Sequence, residues 1–285
     1  MQSNNPVFRR SEEFTSGGAN AYGNQAYAGN GAAYPQYGNP AQGGVGAPDT
    51  QAPVSGAPMT IDSVVQKTAI SLAVVIVTAF ATWVLTPDLD SSEALGPLYS
   101  ALMIGSLGAF ALSMVNAFKR VISPGLVLAF CVLEGIALGA LSKLMEAMFP
   151  QAEGLVTQAV VGTFAAFGGT LAAYKFFNIK VGAKFRMFVI AAVFGMVGLS
   201  VMELVLGMFG DNLGLFGFGA LGMLTAVAGL VLGIFMLILD FDFVEQGVAN
   251  GIPERESWRA AFAMTVSLVW IYTNLLRLLA IFSSD

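Results

Sequence analysis

Histidine is missing from this 285-residue chain, and cysteine occurs once, at Cys131. Without histidine, no Ser-His dyad, HExxH zinc site or His-ligated haem can be assembled. A two-aspartate intramembrane protease would need a second spanning segment with a central Asp, and the sequence has none. No enzyme and no cofactor is therefore expected. One cysteine permits neither an intrachain disulfide nor a thiolate cluster, and Cys131, inside an apolar run, reads as a small packing residue. Charge is scarce too: Asp, Glu, Lys and Arg make up 11% of the chain, against about 25% in an ordinary soluble domain. What fills the space is apolar, 56% of residues, with a mean hydropathy of +0.72. These values define a polytopic membrane protein whose first partner is the lipid bilayer, with no nucleic acid expected. The net charge of −5 says little, because what matters is the side of the membrane on which each charge lies.

Residues 1–58 form a low-complexity tract of Gly, Ala, Asn, Gln, Pro and Tyr. It has too little apolar surface to offset its ordering entropy and reads as a disordered cytoplasmic tail. Arg9 and Arg10 are followed by polar residues, so a signal peptide is not expected. Residues 59–285 form the membrane domain. Seven apolar stretches, at 64–85, 95–118, 123–145, 154–176, 185–209, 216–243 and 258–282, each approach the roughly 20 residues a spanning helix needs. The fold class expected is an all-α integral membrane protein, a seven-transmembrane helix bundle.

With the N-terminus inside, eleven of the thirteen basic residues fall on the inner side, leaving only Lys143 and Arg277 outside. That bias places the N-terminus in the cytoplasm and, after seven crossings, the C-terminus outside. A six-helix count would return Arg277 and the C-terminus to the inside.

Four groups of polar residues carry the functional reading. Glu134 sits about 15 Å into the stretch Pro124 to Met145, near the middle of a hydrocarbon core about 30 Å thick, and a carboxyl at that depth is costly to bury. It stands beside Gly135 and Gly139, whose spacing lets helices approach closely; Gly229 and Gly233 repeat the pattern on the sixth segment. Generic bundle packing is the plainer reading of these glycines. Asp240, Asp242 and Glu245, in LILDFDFVEQG, fall at the inner end of the sixth segment. Asp242 and Glu245 share a helix face, and Asp240 points about 200° from Asp242. Lys119 and Arg120 lie at the same depth, so a salt bridge to these acids is available. Glu203 and Arg277, in the outer third, either pair or snorkel outward, with Asn274 one turn before Arg277 on the same side.

The segments SPGLVLAFCVLEGIALGALS, LILDFDFVEQG and SLVWIYTNLLRLLAIF, taken in order across residues 60 to 285, resemble the bacterial, and especially the actinobacterial, branch of the Bax inhibitor family. The resemblance implies a seven-helix bundle whose last helix is central and wrapped by the other six. It also implies a pH-dependent calcium leak, in which aspartates on helices 6 and 7 share a proton and an arginine after helix 2 latches onto them. Asp240 matches the helix 6 aspartate, with Asp242 as the alternative register, and Arg120 matches the latch. The helix 7 aspartate is absent, its place falling to Ile271 or Asn274, and Glu134 is the substitute acid.

The function expected is a pH-sensitive calcium leak channel or calcium/proton exchanger of a bacterial inner (plasma) membrane. Glu134, Asp240, Asp242 and Glu245 form the path, Arg120 the latch, and Asn274, Arg277 and Glu203 secondary polar positions. Calcium is the transported ion, with transient contact at Asp240 and Glu134. The alternative is a nonconducting regulator that binds another membrane protein. A column of aligned acids would favour the channel, and an apolar axis with one unpaired acid would favour the regulator.

Overall fold

A computed structural model describes residues 57–87 and 92–283. Of the expected disordered tail, all but Ala57 and Pro58 lies outside the described residues. Seven helices long and apolar enough to cross a membrane follow one another: α1 Ile61–Leu85, α2 Ser92–Phe118, α3 Pro124–Met148, α4 Leu155–Phe176, α5 Ala183–Met208, α6 Ala220–Ala249 and α7 Ser257–Phe282. The described residues thus carry seven such helices and not six.

Local chemistry sets the ends. Thr60 caps α1 in a reciprocal box with Ser63, each side chain taking the other's backbone N–H at 3.1 Å. Pro124 opens α3, where its missing N–H costs nothing, and Ser123 caps it with its backbone carbonyl alone. The largest boundary difference is at α6, which begins four residues later and ends six later than the stretch 216–243. Gly214, Gly217 and Gly219 keep the preceding chain in turns, and Gly214 takes a positive φ of 74°. The acids of LILDFDFVEQG consequently lie inside a helix and not at its end.

The last helix is the hub. It packs chiefly on α1, α3, α4 and α6, while α2 rests on α3 and α5 on α6. The expected wrapping by six helices becomes four on which α7 chiefly packs and two that pack chiefly on α3 and α6. The cause is visible along the helices: α7 buries small residues, with Ala260, Ala261, Thr265 and Ala280 fully covered, whereas on α5 only Val189 is buried. Close approach by small residues suits membrane bundles, where lipid is as apolar as leucine and packing drives association. Phe80, Phe194 and Leu204 accordingly remain on the outside.

One end of the bundle, the tail-side end, collects the starts of α1, α3, α5 and α7. Here the strand-like segment before α1 lies on the α6–α7 turn: Met59 N–H donates to Ile252 O at 2.7 Å, and Glu254 N–H to Ala57 O at 2.9 Å. Lys67 pairs with Glu254 at 2.8 Å, and the Ser63 and Ser257 hydroxyls bond at 2.7 Å. Beneath them the fully buried Glu256 accepts from Arg259 Nε at 2.6 Å, and Arg259 Nη2 donates to the carbonyl of Arg120 at 2.8 Å.

Candidate functional site

The three acids of α6 diverge onto three neighbouring helices. Asp240 faces α7 and accepts from the Ser267 hydroxyl at 2.6 Å, its one hydrogen bond. Asp242, buried, is paired with Arg186 of α5, Nη2 to Oδ2 at 2.8 Å, and takes a second bond from Gln246 one turn on, at 2.7 Å. Glu245, exposed, accepts from the Tyr174 hydroxyl of α4. The shared face expected for Asp242 and Glu245 is thus split between two partners, because adjacent helices sit on either side of it. Asp240 alone among the three stands without a charged or phenolic donor.

The register between α6 and α7 accounts for Ser267. The helices run antiparallel, and the glycines of α6 fix where they touch. A Cβ at Gly229 would strike the Asn274 side chain, and one at Gly233 would meet Ile271 Cγ1 at 2.6 Å. Asp240 lies two turns beyond Gly233 along α6, and Ser267 lies one turn back along α7 from Ile271 and two from Asn274, toward the same α6–α7 turn. Ile271 and Asn274 therefore oppose glycines nearer the middle, and neither takes the position facing Asp240. Ser267 is the residue that sequence reasoning missed. Counting back from the α6–α7 turn would have found it, since both residues lie about ten positions from that turn.

Arg186 was also missed as a partner. It was counted only as an inner basic residue, although its place in the first turn of α5 sets it at the depth of the α6 acids. Arg120 is exposed at the end of α2, where its backbone carbonyl serves Arg259.

Glu134 is the eleventh residue of the 25 in α3, near its middle, and partly buried. No hydrogen bond or ion pair joins it to Asp240 or to any other described residue. The adjoining glycines look elsewhere: a Cβ at Gly135 would meet Thr78 and the Val75 carbonyl of α1, and one at Gly139 the Ala79 carbonyl. The two glycine pairs hold separate seams, α3 on α1 and α6 on α7. Among the described residues, no three Asp, Glu or Cys side chains converge as a cage for a metal ion.

At the far end, Glu203 and Arg277 do not pair. Glu203 accepts the Gly214 N–H at 2.9 Å, whereas Arg277 donates to Thr225 Oγ1 at 3.1 Å and lies over the Phe216 ring, 5.2 Å from its centre. The α5–α6 turn comes between them and supplies a partner to each. Asn274 is buried and donates to the Trp270 carbonyl at 2.8 Å.

Seven apolar spans, the last of them central, with ionisable groups turned into the seams, define a multi-pass membrane protein. The family model for Bax inhibitor 1-like proteins matches residues 5–284. The chain belongs to that family, and the match reaches back over most of the tail, beyond the residues 60 to 285 that carried the resemblance. None of the curated proteins matches the chain.

Proposed function

We propose that this chain conducts cations, as a pH-sensitive calcium leak or calcium/proton exchanger, with Asp240 as the group that takes a proton or an ion. The observation carrying the reading is the contrast between neighbours. Asp242 is neutralised by Arg186, Glu245 is held by Tyr174, and Asp240 keeps a single neutral hydroxyl donor in the α6–α7 seam. A carboxylate in such a seam, with no cation beside it, is a place where an incoming cation or proton lowers the free energy. Calcium, which takes six to eight oxygens, would pass Asp240 as cargo, keeping most of its ligands as water.

The tail-side end faces the cytoplasm of the inner membrane in this reading, following the basic-residue bias. Arg120, exposed at that mouth, acts as the latch, and Glu134 is the second acid further along the path. No cofactor and no catalytic chemistry are involved.

A second reading is supported by a specific observation: the acids form no continuous column, and Glu134 has no bonded partner. That favours a nonconducting regulator that binds another membrane protein. Calcium flux into proteoliposomes, measured from acid to neutral pH, separates the two. Under the conducting reading the wild type leaks with a pH dependence that Asp240→Asn flattens. Arg120→Ala raises leak at neutral pH; the structure described joins Asp240 to Ser267 and not to Arg120, so a double variant that behaves like one of the singles is the result expected only if the two meet in a closed state. Flux no greater than that of empty vesicles at every pH would leave the regulator.

A further inference from the structure

The far end of the bundle contains a cavity of about 310 Å³ between α3, α5 and α7, roofed by the α5–α6 turn. Its walls are apolar, among them Leu141, Met196, Phe216, Trp270 and Leu276. One cation enters it, Arg277. A guanidinium carries five N–H donors; here one is used, from Nη2 to Thr225 Oγ1 at 3.1 Å. Nε is buried with no acceptor at all. No carboxylate among the described residues lies within salt-bridge distance of Arg277, since the one acid at this end that had been its expected partner, Glu203, is turned to the Gly214 N–H.

The other polar groups of the cavity cannot supply a negative charge. Ser200 and Thr273 spend their hydroxyl donors, and Asn274 one of its two amide N–H groups, on backbone carbonyls of their own helices, at 2.9, 3.1 and 2.8 Å. Their remaining lone pairs are neutral. A guanidinium within an apolar span needs a countercharge or a route to water, and the fork of Arg matches the two oxygens of a carboxylate or a phosphodiester.

We propose that this cavity binds a monoanionic oxyanion, a carboxylate or phosphodiester with an apolar body, whose charge pairs with Arg277 while its body lies against Phe216, Trp270 and Leu276. Arg277 is five residues from the end of α7, about 8 Å along the helix axis. That depth suits a lipid headgroup phosphate drawn slightly inward, and equally a small soluble acid. The site is separate from Asp240 and does not depend on whether the protein conducts.

Trp270 lines the cavity and reports on it. In a Trp83→Phe/Trp258→Phe background in an uncharged detergent, 4-bromobutyrate, whose bromine quenches indole emission, is titrated against its neutral counterpart 4-bromobutanamide. Saturable quenching by the acid and only linear, collisional quenching by the amide is the result expected; this comparison requires no change at Arg277. Arg277→Gln should weaken the acid's binding at least tenfold, with Arg277→Lys intermediate because it retains charge without the fork. Both variants are checked for wild-type elution and helix content. Displacement of the probe by dihexanoylphosphatidylglycerol but not by inorganic phosphate assigns the site to a lipid headgroup, and displacement by both assigns it to soluble anions. Identical quenching by acid and amide, or an Arg277→Gln titration that superimposes on the wild type, overturns the proposal.

Discussion

Replacing Gly139 by alanine tests whether the α1–α3 seam is set by backbone approach. A Cβ at Gly139 would meet the Ala79 carbonyl oxygen, with Thr82 Cβ at 2.9 Å. A carbonyl inside a helix cannot rotate aside, so α1 as a whole must shift. On α5 the same change is innocuous, because Gly195 has nothing within 4 Å of the added carbon. Alanine gains about 0.8–1.0 kcal/mol over glycine in a helix interior, and this gain is common to both sites. Overpacking costs about 1–3 kcal/mol, and only Gly139 incurs it. The difference between the two variants is therefore about 1–3 kcal/mol, and at about 2–4 °C per kcal/mol for a domain of this size it separates their melting temperatures by about 2–12 °C. Gly105→Ala should fall with Gly139→Ala, since its Cβ would sit 2.7 Å from Ala137 N and 2.9 Å from Leu133 O of α3. Gly229→Ala should be milder, because the group it strikes is the Asn274 side chain, which can turn. The assay is thermal unfolding followed by intrinsic fluorescence in one uncharged detergent. Equal melting temperatures for Gly139→Ala and Gly195→Ala would refute the reasoning.

Two further outcomes are expected. Deleting residues 2–55 should leave the melting temperature unchanged, whereas Met59→Ala in that truncated chain empties the buried Met59 site and should cost about 2–5 kcal/mol, the range for emptying a core methionine site; equal melting of the two would show that the Met59 side chain on the α6–α7 turn contributes nothing. Glu134→Gln should fold normally and flatten pH-dependent calcium flux, while Glu134→Leu should match or exceed wild-type stability; unaltered flux in both variants would remove Glu134 from the path.

Much of the fold was legible because hydropathy in a bilayer has one dominant solution: a long apolar run must become a helix that satisfies its own backbone. Seven runs gave seven helices. Less legible was anything that depends on which helices touch. Gly135 and Gly139 announced a close approach but not its partner, since a GxxxG pair specifies a face and nothing about what lies across it; α1 answers it through Val75, Thr78 and Ala79. Glu203 and Arg277 were at the right depth to pair, and depth is all that spacing supplies. Whether they meet depends on the glycine-rich α5–α6 turn, whose Gly214 N–H satisfies Glu203 first. Arg186 and Asp242 are the converse case, two charges at matching depth on consecutive antiparallel helices that do meet.

The position facing Asp240 shows how register decides chemistry. Placing the α7 partner at Ile271 or Asn274 sets the contact one or two turns too far from the α6–α7 turn, toward the middle of the bundle. The observed pairing exchanges an acid for a hydroxyl: Ser267 donates one hydrogen bond, carries no charge and cannot share a proton between two carboxylates as a pair of aspartates would. An isolated aspartate titrates as one group, so any pH dependence it confers should follow a single proton, with a Hill slope near one for the protonation step. Ser267→Asp places a second carboxyl at the observed facing position. If Asp240 is the titrating group of the path, that variant should split the single transition into two, as like charges in one seam resist joint ionisation. The same aspartate placed at Ile271 faces Gly233 instead and should leave the transition of Asp240 single, so the contrast between the two positions tests the register and the role of Asp240 together.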